Sequence, residues 1–188
     1  MVSVRVTPGK ETIGHLRFYE EENAFFFMPD PNAAFDQQAS FNSGALNLGS
    51  LIIRVDVETG KALCVQGVAA RFYWVMAHLN GPGAAPGSAF FVVEDPIFPE
   101  FFRSRIDSEG WNIFFDPQTE WIRVLHPDGL PDHQQVLVAT GTVIGVRNGI
   151  LNSIWLHPEF FVTDRLNPPP ESAEELDQGE RNPHAYRR

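Results

Sequence analysis

Short apolar runs, many alternating apolar with polar, recur along this chain and are broken by clusters of Gly, Pro, Asn, Asp and Glu. That rhythm is the one expected of antiparallel strands joined by tight turns. Residues 13–19 and 24–28 flank Glu20-Glu21-Glu22-Asn23, a first predicted hairpin. Residues 51–57 and 62–66 flank Glu58-Thr59-Gly60-Lys61, where Gly60 supplies the positive φ that a short hairpin loop demands. Residues 111–115 and 121–125 flank a turn carrying Pro117, which is pre-set for the first central turn position. Finally, 136–146 and 150–156 flank Arg147-Asn148-Gly149, and Asn-Gly is the strongest short-range hairpin signal in the chain.

Phenylalanine is the main core material, and it recurs as adjacent pairs at 25–26, 90–91, 101–102, 114–115 and 160–161. In a strand, successive side chains point to opposite faces, so the pairs at 25–26, 90–91 and 114–115 require both faces of their sheet to be covered. The pairs at 101–102 and 160–161 each follow Pro-Glu, which suits the first turn of a short helix. A third helix is predicted over 69–80, where Phe72, Val75, Met76 and Leu79 fall at i, i+3, i+4 and i+7, with Asn80-Gly81 as a stop.

The predicted fold is therefore mainly β, an antiparallel sandwich or barrel of hairpins with a few short helices. Residues 1–167 form a single β-rich domain, and 168–188 form a flexible polar C-terminal tail beginning Pro168-Pro169-Pro170. Within the domain, Phe18-Tyr19-Glu20 with Pro29-Asp30 echoes Phe114-Phe115-Asp116 with Pro127-Asp128, and Gly49-Ser50-Leu51-Ile52 echoes Gly141-Thr142-Val143-Ile144. The echo fits either an internal duplication, with halves 11–102 and 111–161, or hairpins that share their turn chemistry.

Charge narrows the partners. With 24 acidic against 14 basic residues the formal net charge is −10, which disfavours nucleic acid and anionic membrane. The single Cys64 excludes an intramolecular disulfide and reads as a small buried hydrophobe. Neither a signal peptide nor a run of the roughly 20 apolar residues needed to span a bilayer is visible, so a soluble, cytoplasmic protein is expected.

No catalytic motif stands out and no cofactor is implied. The loop at 81–88 resembles a phosphate cradle only in its glycines, because it opens a strand and has no Lys-Ser or Lys-Thr. Asp30, Asn32 and Asp36 lack the glycine and terminal glutamate of a calcium loop. The densest set of possible metal ligands is His126, Asp128, Asp132 and His133, although Pro-Asp-Gly and Pro-Asp within the same stretch are ordinary turn vocabulary. Phe72, Trp74, Trp121 and Trp155 are the candidate ligand-binding aromatics. Three functions follow: a non-enzymatic structural or interaction protein, a subunit of a homomeric assembly; a β-barrel binding a small apolar or aromatic ligand; and a metal-dependent hydrolase using the 126–133 loop.

Overall fold

The computed structural model describes residues 2–32, 43–93, 103–106 and 110–162. In chain order their strands are β1 (Val2–Pro8), β2 (Gly14–Tyr19), β3 (Ala24–Pro29), β4 (Ser43–Leu48) and β5 (Leu51–Asp56). There follow β6 (Ala62–Val68), β7 (Val75–Met76), β8 (Ala85–Val93), β9 (Arg103–Ile106) and β10 (Asn112–Phe115). The last are β11 (Ile122–Leu125), β12 (Gln134–Ala139), β13 (Thr142–Arg147), β14 (Ile150–Leu156) and β15 (Glu159–Phe161). They form an eight-stranded sheet, β1-β8-β12-β13-β14-β11-β10-β7, and a seven-stranded sheet, β15-β2-β3-β6-β5-β4-β9.

The two sheets pack face to face as a sandwich and do not close into a barrel. The order β2-β3-β6-β5-β4 in one sheet recurs as β10-β11-β14-β13-β12 in the other. Each five-strand motif is flanked by parallel neighbours: β15 beside β2 and β9 beside β4, then β7 beside β10 and β8 beside β12. The sheets are thus mixed and not purely antiparallel. β7, β9 and β15 arrive from the opposite sheet and β8 crosses from the far side of its own, so no hairpin constrains any of them to run antiparallel.

Turn chemistry placed the hairpins correctly. Asn23 (φ 51°), Gly60 (φ 72°), and Asn148 with Gly149 (φ 53° and 73°) supply the left-handed positions at three of them. The run 136–146 is not one strand. It breaks at Thr140-Gly141, where Gly141 has φ 68° and a Cβ would lie 2.6 Å from the His157 carbonyl oxygen, and it gives β12 and β13.

The helices fare differently. Residues 69–80 form only a 3-10 turn at Arg71–Tyr73, with Tyr73 N–H donating to the Ala70 carbonyl and Trp74 N–H to that of Arg71, and then enter β7. Phe72, Val75 and Met76, the expected buried face, are exposed, while Trp74 and Leu79 are buried. The open edge of β10 offers backbone pairing to Val75 and Met76, and this overrides a local helical pattern. Likewise Pro158-Glu159-Phe160-Phe161 starts no helix, because Glu159–Phe161 pairs with Arg17, Phe18 and Tyr19 as β15. The other Pro-Glu-Phe-Phe segment, Asp36 and the tail 168–188 lie outside the described residues.

Between the sheets the core is built on Phe18, Phe25, Phe91, Leu46, Ile53, Ile122, Ile144, Ile154 and Leu156, all essentially inaccessible to solvent. Backbone links stitch the sheets at their margins: Phe91 N–H to Gly60 O at 2.8 Å, Thr12 N–H to Val138 O at 2.8 Å, and Thr140 N–H to Thr12 O at 2.9 Å. Cys64 packs against this core, and burial pushes its thiol up to about 12, so it behaves as a small hydrophobe and not as a nucleophile. Among the described residues no helix is long and apolar enough to cross a membrane.

Truncating a ring that is sealed between the sheets removes burial and leaves a cavity, whereas truncating an exposed ring does neither. Phe18→Ala is therefore expected to lower unfolding free energy by about 3–5 kcal/mol in urea titration, and Phe72→Ala by less than about 0.5 kcal/mol.

Candidate functional site

Most sandwich sheets leave one face to water, but the outer face of the eight-stranded sheet is covered by two loops. From one side residues 77–84 lay Leu79 onto Val143 and Trp155, with Trp121, Phe114 and Leu137 packed around them. A Cβ at Gly81 would lie 2.7 Å from Trp121 Nε1, so the absence of a side chain there allows the loop to approach. The loop is fastened by Asp116, a buried carboxylate that accepts the N–H of Leu79 and of Gln118, each at 2.8 Å. These backbone hydrogen bonds hold the Asp116 carboxyl below its ordinary range.

From the other side, the 126–133 loop turns Asp132 inward over β13 and β14. Its Oδ1 accepts Asn152 Nδ2 at 2.6 Å, and its Oδ2 accepts Gln135 Nε2 and Ser153 Oγ, each at 2.8 Å. Arg123 Nη2 stands 3.8 Å from Oδ2, and the guanidinium lies over the Trp155 ring, 4.7 Å from its centroid. Gly145 makes room, since a Cβ there would lie 2.5 Å from Asp132 Oδ1 and collide with Ser153 Oγ. Burial opposes the charge on Asp132, but the bonds from Asn152, Gln135 and Ser153, with Arg123 nearby, outweigh it and keep the carboxyl below its ordinary value. Burial in turn lowers the Arg123 guanidinium, an effect that Asp132 partly offsets. With its side chain 2% exposed and both oxygens occupied, Asp132 fastens a loop.

The expected metal set is therefore not brought together. Asp132 faces the sheet, His126 accepts the Asp128 N–H at 3.3 Å with its ring edge-on to Trp111, and His133 is exposed. Among the described residues no group of three or more His, Cys, Asp or Glu side chains is placed to hold a metal ion. The expected ligand-binding aromatics are also dispersed. Trp74 sits in the inter-sheet core against Phe18, Phe25 and Phe115, and Trp121 and Trp155 pack together under the 77–84 loop. Phe72 alone projects outward.

Phe72 belongs to a ledge that sequence reasoning did not single out as a unit. Arg71 and Trp74 turn inward: Arg71 makes a 2.8 Å ion pair with Glu20 and lies 5.9 Å from the centroids of both Phe115 and Phe160. Asn23 fixes the turn by accepting the N–H of Ala69 on its carbonyl and that of Arg71 on its side chain. Phe72 and Tyr73 are thereby driven outward, ring centroids 4.0 Å apart, with Phe72 77% exposed and Met76, on β7, 63% exposed. Tyr73 and Val75 are exposed as well, and Val75 with Met76 forms the edge strand of the eight-stranded sheet. The missed signals were polar: Asn152-Ser153 inside an otherwise apolar strand marks a partner for Asp132.

No protein-family model matches this sequence, and no curated protein matches it either. Geometry therefore carries the functional reading.

Removing the Asp132 carboxylate leaves three buried donors and Arg123 without their acceptor. Asp132→Ala is expected to cost about 3 kcal/mol or more at neutral pH. Because the folded carboxyl titrates below its unfolded value near 3.9, the stability it contributes is present above that value and is lost as pH falls through the folded value. Urea midpoints of wild type and Asp132→Asn should accordingly converge as the pH is lowered below about 4; a gap that stays constant with pH would contradict the buried-carboxylate assignment.

Proposed function

We propose that this protein is a non-enzymatic interaction protein that self-associates through the ledge formed by Phe72, Tyr73, Val75 and Met76. The single observation behind this reading is the concentration of four large exposed apolar side chains on five consecutive residues at a sheet edge. Apolar exposure that is contiguous and rimmed by polar groups marks interaction surfaces. Comparison of the two motifs adds support. Between β14 and β15 the chain needs only His157 and Pro158, whereas between β6 and β7 it inserts the Arg71–Tyr73 turn. The insertion is not needed to pass from one sheet to the other, so its outward aromatics are surplus to the fold.

The magnitudes favour a weak assembly. Aromatic side chains bury on the order of 150–250 Å² each. Two ledges meeting about a two-fold axis would then cover on the order of 900 Å² in all, below the roughly 1,200–2,000 Å² of a stable, specific interface and in the range of weak, transient ones. Self-repulsion from the net charge of −10 opposes the contact at low salt. Association is thus concentration-dependent and strengthens as salt screens the charge.

In sedimentation velocity the wild type is expected to shift from monomer toward dimer as concentration and salt rise. Phe72→Ser/Tyr73→Ser should remain monomeric under the same conditions with an unchanged urea midpoint. A wild type that sediments as monomer throughout removes the reading.

A further inference from the structure

Sulfur is sparse in this chain: one cysteine and three methionines, of which Met1 lies outside the described residues. The other three sulfurs sit in different settings. Cys64 packs against the inter-sheet core, where burial keeps its thiol protonated. Peroxides react with thiolates, so this sulfur is inert to them. Met28 is half-buried on β3, and its Sδ accepts Arg17 Nη1 at 3.7 Å, which occupies a lone pair that an oxidant would otherwise reach. Met76 is 63% exposed on β7. Register explains why. Val75 lies beside Phe114 and Met76 beside Phe115 across a parallel pair, so Met76 shares the face of Phe115. Phe115, one strand further in, is buried, whereas on the last strand of the sheet that face opens to water.

We propose that Met76 is a site of reversible oxidation by hydroperoxides, and that its sulfoxide dissolves the self-association of the ledge. The second half rests on the ledge reading given above; the first does not. In the forward step the thioether sulfur attacks one peroxide oxygen, and the S–O bond forms as the O–O bond breaks. Sulfur gives up two electrons, the peroxide is reduced, and its other oxygen takes up a proton and departs as water or an alcohol. In the return step a dithiol reductant takes the oxygen off as water and closes to a disulfide.

The consequence follows from where the oxygen must sit. A thioether is apolar and flexible, suited to filling gaps between rings such as those of Phe72 and Tyr73. A sulfoxide is a polar acceptor. On a monomer the exposed Met76 side chain keeps it hydrated, so the fold is unaffected. In a contact made of apolar side chains it loses that water and gains no donor. A two-fold contact incurs the loss twice, and an interface of this small area has little affinity to spare. Because the contact covers Met76, the reactive species is the free monomer, and oxidation draws the assembly apart by mass action.

Hydrogen peroxide added to the dilute full chain, followed by peptide mass spectrometry, tests the site. Sulfoxide should form at Met76 about tenfold faster than at Met28, with Cys64 unchanged. Equal rates at the two methionines, or oxidation of Cys64 ahead of Met76, overturn it. Sedimentation velocity then tests the consequence, at a concentration and salt where the untreated protein associates. The oxidised protein should sediment as monomer with an unchanged urea midpoint, and a pair of methionine sulfoxide reductases, one for each epimer, should restore association. Met76→Leu, which keeps the apolar volume without the sulfur, should associate before and after peroxide alike. An assembly that persists with Met76 oxidised overturns the switch alone, as does a Met76→Leu protein that peroxide also dissociates. A wild type that is monomeric before any peroxide overturns the ledge reading, and the switch with it, while the mass spectra still decide the site.

Discussion

The chain must change sheets after each five-strand motif, and the aromatic cluster at that crossing is what the rest of the sandwich depends on. After β6 the chain leaves the seven-stranded sheet and enters the eight-stranded one as β7; after β14 it makes the reverse move as β15. Trp74 stands at the first crossing, with ring centroids 4.9 Å from Phe18, 6.2 Å from Phe25 and 5.4 Å from Phe115. Phe160 stands at the second, 5.8 Å from Phe18 and 5.7 Å from Phe115. The same rings thus join both sheets and both crossings. Large rings in tilted and edge-to-face contact contribute beyond their buried area, so this corner resists the separation that a pair of short, parallel-paired edge strands would otherwise allow.

A second constraint follows from β13 and β14, which are buried on both faces. One face meets the opposite sheet; the other needs loops, and loops carry backbone and side-chain polar groups that must be satisfied when buried. Two carboxylates solve this. Asp116 accepts the Leu79 N–H that fixes the 77–84 loop together with the Gln118 N–H of its own turn, and Asp132 gathers Asn152, Gln135 and Ser153 beneath the 126–133 loop. The protein thereby uses its acidic residues as fasteners on the inside while leaving others to keep the surface charged. Of the four side chains that the sequence offered as metal ligands, Asp132 is, in three dimensions, one of these two fasteners.

Local rules read much of this fold from the sequence. Gly60 and Asn148-Gly149 demand left-handed backbone that few other residues tolerate, so their hairpins are dictated by covalent geometry at a range of a few residues. Alternation in 51–56 and the doublets Phe25-Phe26 and Phe114-Phe115 likewise report strands, because a period of two is a property of the strand itself. The failures fall where two local signals compete with a distant partner. Phe72, Val75, Met76 and Leu79 have helical spacing, yet the open edge of β10 captures Val75 and Met76. Pro158-Glu159 is a good helix start, yet β2 offers Phe160 and Phe161 a parallel ladder. The His126–His133 cluster was found for its residue types, but Gly145, far along the chain, decides that Asp132 turns inward.

What the sequence by itself determined is therefore the element type wherever turn chemistry and strand periodicity agree, the two-faced burial of the sheets, and an acidic surface. Only the tertiary structure decided which strands are neighbours, that the sheets remain open at their margins and not closed into a barrel, and which aromatics are sealed. Trp74 and Phe72 show the reason. They are two residues apart and chemically alike, but Asn23 and Glu20, some fifty residues earlier, pin the turn between them so that one ring enters the core and the other faces solvent. Side-chain destination at such a turn is set by long-range anchors, and no periodicity within the turn encodes them.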